Sequence, residues 1–170
     1  MAYTVKVEGI EEVSKMLNQM AEKAPAIAAQ AVYTGAGTVA DELNKQAKQI
    51  RTAPFKWASR RRGETRLPSP EEKEIIEQAG AGIAKFDKNG TEVQTSVGYQ
   101  SRGYAQLAGK TVPVPLIVNS INSGTSFMRK QPFVRKASNT GGKKAAAEMT
   151  KQIEDAFNRI ANNQTEVDKA

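Results

Sequence analysis

Arg60-Arg61-Arg62 lies between Arg51 and Lys56 on one side and Arg66 on the other, with the only tryptophan, Trp57, among them. Cations interleaved with an aromatic ring suit phosphate contact combined with base stacking. A solvated loop, or a loop that meets an acidic protein neighbour, fits the same residues. A second basic group, Arg129, Lys130, Arg135 and Lys136, flanks Pro132-Phe133. It suits a docking surface for a neighbouring subunit or, equally, a solvated helix start. Phe133 itself is better suited to a core than to an interface.

Little other chemistry is open to the chain. It has no His and no Cys among 170 residues, so the commonest general base, the commonest metal ligand and the thiol nucleophile are all missing. Ser-His-Asp and zinc chemistry are excluded, while carboxylate and lysine chemistry stay formally open. Gly35-Ala36-Gly37 falls inside a helical pattern and Gly80-Ala81-Gly82 precedes a strand. Neither is followed by Lys-Ser or Lys-Thr, so neither reads as a phosphate loop. Glu71, Glu72, Glu74 and Glu77 read as a solvated helix face, with no second acidic segment pointing to a paired-carboxylate hydrolase. The expectation is therefore no enzyme, no catalytic residue, no metal and no cofactor.

The net charge of +7 is unevenly placed. Residues 51–70 hold six basic and one acidic residue, and residues 101–142 hold six basic and none acidic, whereas residues 71–100 hold three basic and six acidic. Positive charge thus concentrates in segments that read as loops. Only 39% of residues are apolar and aromatics are few. A modest core fits a subunit that gains stability from neighbours, and a small soluble monomer fits as well. No window approaches the roughly 20 apolar residues of a membrane span, and no charged leader precedes an apolar run. The protein is expected to stay in the cytoplasm that makes it unless it leaves inside a particle.

The elements that must position these residues follow from periodicity. Tyr3–Val7 alternates like a short strand. From Ile10, Val13, Met16, Leu17 and Met20 recur at helical spacing, and Pro25 interrupts and opens a second helix. That helix runs to Ile50, about 39 Å, with Ile27, Ala28, Val32, Val39, Leu43, Ala47 and Ile50 on its face. Its small residues Ala28, Ala31, Gly35 and Ala36 predict close packing or a kink near Gly35. Residues 51–69 form a long exposed loop. Ser69 caps a helix whose first position is Pro70. Two alternating runs, 83–87 and 91–99, flank Lys88-Asn89-Gly90, the strongest short-range hairpin signal in the chain. Residues 98–110 read as a Gly- and Tyr-rich loop. Pro113 and Pro115 argue against a central strand at 112–121, which favours a short helix ending near Asn122. A break at Gly141-Gly142 precedes a last helix with Ala146, Met149, Ile153, Phe157 and Ile160 on one face. The fold class is α+β: a small antiparallel sheet with a hairpin, packed against a long Ala-rich helix and a C-terminal helix. One domain spans 1–162, with its basic loop at about 51–69 and a frayed polar tail at 163–170.

Gly124-Thr125-Ser126, Gln131-Pro132-Phe133 and Ala137, just ahead of the last helix, resemble the signature of the tail-component or tail-completion proteins of long-tailed phages. The order of parts is similar over most of the chain, from the Val7-Glu8-Gly9-Ile10 helix entry onward. The resemblance implies a structural virion protein without catalysis. Its place would be a ring, commonly a hexamer, at the neck, joining head connector or stopper proteins to the tail tube. Double-stranded DNA would pass through transiently, and no membrane is involved. Assembly in the bacterial host cytoplasm would follow. Tail terminator is the alternative within phages, and a basic DNA-binding accessory protein is the alternative of another class. In a ring, Arg60, Arg61 and Arg62 would face a protein neighbour, and the basic loop would meet the acidic Glu71–Glu77 helix next door.

Overall fold

The computed structural model describes residues 10–54, 64–85, 87–89, 92–99 and 102–167. The strand expected at Tyr3–Val7 and most of the basic loop lie outside them. The fold is α+β, with four helices and six short strands among the described residues. The strands form three separate two-stranded antiparallel ladders rather than one small sheet.

Helix α1 (Ile10–Lys48) runs unbroken for 39 residues, about 58 Å. Pro25 sits inside it, so the expected interruption does not occur. A proline there forfeits one hydrogen bond and crowds the carbonyl of Ala21, at a cost of about 3 kcal/mol. The strong helix formers on both sides (Ala21, Glu22, Lys23, Ala24, Ala26, Ala28, Ala29) carry the helix through.

Helix α4 (Phe133–Val167) is likewise continuous for 35 residues, and Gly141-Gly142 does not break it. It lies antiparallel to α1. A Cβ on Gly141 would stand 3.2 Å from Glu42 Cβ, and one on Gly35 would stand 2.8 Å from Met149 Cγ. The close packing expected at Gly35 is thus present, and Gly141 is its counterpart on the partner helix. The inward stripe of α4 is Phe133, Ala137, Gly141, Ala145, Met149, Ile153 and Ile160. Ala145 is buried and Ala146 is exposed, a correction of one position. The stripe follows the spacing of four from Phe133, a phase that the Gly-Gly pair hides from sequence. The backbone stays helical to Val167.

Helix α2 (Pro70–Ala79) starts as expected. Ser69 Oγ accepts from the Glu72 N–H at 3.1 Å, and Glu72 Oε2 accepts from the Ser69 N–H at 2.7 Å, a reciprocal capping box. Next come β1 (Gly82–Ile83), β2 (Asp87–Asn89), β3 (Glu92–Gln94) and β4 (Val97–Gly98). They make the expected hairpin. Its inner ladder pairs Asp87 with Gln94 and Asn89 with Glu92, and its outer ladder pairs Ile83 with Val97.

A second hairpin, β5 (Tyr104–Leu107) with β6 (Lys110–Pro113), replaces part of the expected loop. Its two-residue turn is Ala108-Gly109, both at positive φ, 50° and 76°. That is the turn a twisted ribbon needs, but alanine gives no sequence hint of it. Helix α3 (Val114–Ser123) follows directly, with Pro113 at its N-cap. Both prolines are thus accommodated, one ending an edge strand and one in the first turn.

The core sits at the Lys48 end of α1. There Leu43, Ala47 and Ile50 meet Ile76 of α2, Tyr99, Ile117 and Ile121 of α3, and Phe133 of α4. Phe133 and Tyr99 pack edge-on with ring centroids 6.4 Å apart.

Candidate functional site

The segment from Gly124 to Phe133 is a brace built of hydrogen bonds. Gly124 leaves α3 at φ +77°, and a Cβ there would press on the Lys130 backbone at 3.1 Å, so only glycine fits without strain. Thr125 Oγ1 accepts from the N–H groups of Phe127 at 3.3 Å and Met128 at 3.0 Å, and the Thr125 N–H reaches the Met128 carbonyl. This local turn drives Met128 into the core and leaves Ser126 and Phe127 exposed. On either side of Met128, the Arg66 N–H donates to the Phe127 carbonyl and the Arg129 N–H donates to the Arg66 carbonyl, both at 2.8 Å.

Gln131 joins the brace to the end of α1. Its Oε1 accepts from the Arg51 N–H at 2.9 Å and its Nε2 donates to the Arg51 carbonyl at 2.8 Å. Its own N–H bonds the Ile121 carbonyl at 2.8 Å. Asn122 Oδ1 accepts from the Val134 N–H at 3.1 Å, satisfying one of the unpaired donors of the first turn of α4. The Pro132 carbonyl accepts from the Lys136 N–H, which puts Pro132 at the N-cap, one position earlier than the first helical residue. Phe133 is a core residue, 4% exposed.

Around this brace lies a groove of about 420 Å³. Arg51, Arg129, Lys130 and Lys136 line it together with Gln49 and Pro132, and no carboxylate among the described residues does. All four cations are exposed and none is in an ion pair among the described residues. Arg51, which sequence grouped with the 51–69 loop, therefore belongs with the basic group around Pro132-Phe133. Arg135 is exposed nearby but does not line the groove. Lys56, Trp57, Arg60, Arg61 and Arg62 lie outside the described residues.

Arg66 has a different place. Its guanidinium forms a two-pronged pair with Glu72, 2.6 Å on each arm, and also donates to the Leu67 carbonyl. It holds the start of α2 against the brace. Glu72 is 4% exposed, which corrects its reading as part of a solvated face, whereas Glu71, Glu74 and Glu77 are exposed. Burial opposes ionisation of Glu72. The Arg66 and Ser69 hydrogen bonds outweigh it and hold the carboxyl below the ordinary glutamate range. The Ser-Pro-Glu-Glu spelling at 69–72, a capping-box pattern, was the available signal for this burial.

Two other sites fall outside the sequence reading. Glu42 on α1 faces α4. The Gln46 hydrogen bond, working against burial and helped by Lys144 and Lys45, holds it below the ordinary range. Tyr99 lines a second cavity of about 230 Å³ beside Val118 and Asn122. Burial pushes its phenol up to about 12, and its hydroxyl has no hydrogen-bond partner among the described residues. No group of three or more Asp, Glu, His or Cys that could hold a metal occurs among the described residues. No helix there is long and apolar enough to cross a membrane.

No family model matches the chain, and neither does any curated protein or solved structure.

Proposed function

We propose that this chain is a structural virion protein of a tailed phage that forms a ring at the head–tail interface and joins the tail tube to the head connector. The observation that carries the reading is the Gly124–Phe133 brace. Among the residues that bear the resemblance to tail-completion proteins, Gln131 ties the end of α1 to α3, Thr125 shapes the turn between α3 and α4, and Phe133 starts α4 in the core. A protein whose most distinctive segment is a rigid scaffold, beside exposed Phe127, suits assembly rather than turnover. Leu17 at 56% and Tyr33 at 58% exposure on α1 add apolar surface of the kind that neighbouring subunits cover.

Electron microscopy of lysates from a phage lacking this gene tests the reading. Filled heads beside separate tails of normal length are expected. Tails of runaway length would make the protein a terminator instead, and intact infectious particles would remove it from the neck.

A further inference from the structure

We infer that the groove lined by Arg51, Arg129, Lys130 and Lys136 receives the phosphate backbone of duplex nucleic acid, weakly and without sequence preference. The inference does not rest on the neck assignment.

Three observations converge on it. The first is the sign of the charge. Four cations from segments 80 residues apart meet at one groove of about 420 Å³ with no carboxylate among the described residues of its wall. Two carboxylates reach the groove's lining through shared partners, and both are buried and engaged: Glu42 by Gln46 and Lys144, and Glu72 by Arg66. The two segments that build the groove are also free of acid over long stretches, 51–63 and 101–142. A protein partner that must dock in one register is usually met by mixed charges and apolar anchors. A polyanion needs neither.

The second is the scarcity of such anchors. Of the large apolar residues in the wall, Ile50 and Phe133 are each 4% exposed and already belong to the core, and Leu67 is half-buried. What the groove offers is guanidinium, ammonium and amide groups, the set that binds phosphate and sugar.

The third is rigidity. Arg51 is held through both of its backbone groups by Gln131, and Arg129 is held through its N–H by the Arg66 carbonyl. The brace thus sets the backbone positions from which Arg51 and Arg129 reach before any ligand arrives. Four contacts without base readout give affinity in the range of about 10⁻⁴ to 10⁻⁶ M, a grip loose enough for DNA to move past.

Fluorescence anisotropy of the full chain with a short labelled duplex tests this across a salt series. The logarithm of the binding constant should fall with the logarithm of salt with a slope approaching about −3.6, the value for four phosphate contacts. Exchanging Arg51, Arg129, Lys130 and Lys136 together for Gln should lower affinity about tenfold or more and flatten the slope. The matched control exchanges Lys85, Lys110, Lys143 and Lys151 for Gln, an equal charge change at exposed positions away from the groove; it should keep most of the slope. Equal losses in the two variants would overturn the inference, because net charge alone would then account for binding. So would a groove variant that binds duplex normally but no longer associates with other copies or with a polyglutamate probe, which would make the groove a protein-docking site. Circular dichroism matching the parent chain checks that both variants fold.

Discussion

At the Lys48 end of α1, side chains hold backbone: Gln131 grips Arg51, Asn122 caps α4, Glu72 ties Arg66 to Ser69, and Phe133 and Met128 fill the space beneath. Along the rest of the α1–α4 pair the contact is made by small residues. Gly35 faces Met149 and Gly141 faces Glu42, with Ala31, Ala36 and Ala145 nearby in the seam. The first region fixes one geometry through directional bonds over a large-residue core. The second keeps two long helices close chiefly through shape, with Thr38–Glu148 and Lys144–Glu42 as polar links across it, and leaves Leu17 and Tyr33 on its outer faces. The specified end carries the basic groove. The long pair carries exposed apolar side chains.

The sharpest test of that contrast is Phe133→Ala. It should cost about 3–5 kcal/mol, read as a fall in the denaturant midpoint, whereas Leu17→Ala on the exposed pair should stay within about 0.5 kcal/mol. Similar losses would mean that the exposed stretch of α1 is packed in solution. Glu72→Ala comes next, at about 2–3 kcal/mol, because it takes away the carboxylate that pairs with half-buried Arg66 and removes the cap partner of Ser69. Gln131→Ala should cost about 1–2 kcal/mol, since it leaves both Arg51 backbone groups without their partner. Hydrogen exchange should rise at the Arg51 amide and spare the seam.

The two adjacent glycines should move in opposite directions. A Cβ added at Gly142 would meet nothing within 4 Å, while one at Gly141 would meet Glu42 and Val39. Gly142→Ala should therefore stabilise by up to about 1 kcal/mol and Gly141→Ala should destabilise. Thermal melts of the two single variants suffice, and a shared sign would break the shape argument for the seam.

The acid response joins the regions. Glu72 at the brace and Glu42 at the seam both have folded pKa values below their unfolded ones. Each therefore contributes stability that is present above the unfolded glutamate value, about 4.3, and is lost as pH falls through the lower folded value. Tyr99 works at the other limit. Its phenol is raised from 10 to about 12, so its neutral form favours the folded state below the unfolded value, and that contribution is lost as pH climbs from about 10 to 12. Chemical denaturation across pH should show weakening at both ends, and Glu72→Gln should blunt the acid arm alone.

Signals confined to a few neighbouring residues were legible in the chain. Ser69-Pro70 opened α2, Asn89-Gly90 marked the hairpin of β2 and β3, and the spacing of Leu43 and Ala47 marked the buried face of α1. Each depends on sterics and hydrogen bonds within about one turn. Ala108 gave no such warning, because its positive φ is imposed by the ribbon it closes.

What only tertiary structure decided involves residues far apart. Gly141-Gly142 is a local helix breaker, yet α4 passes through it; packing of buried Gly141 against Glu42 and Val39 of α1 outweighs a local penalty of about 2 kcal/mol. Glu72 looks like a surface acid until Arg66 is brought to it. The basic groove exists because Gln131 holds Arg51 across 80 residues of chain. Sequence determined that the chain holds two basic, acid-free stretches and the residues of the brace. The fold determined which cations share a surface, because their separation depends on contacts that no local pattern encodes.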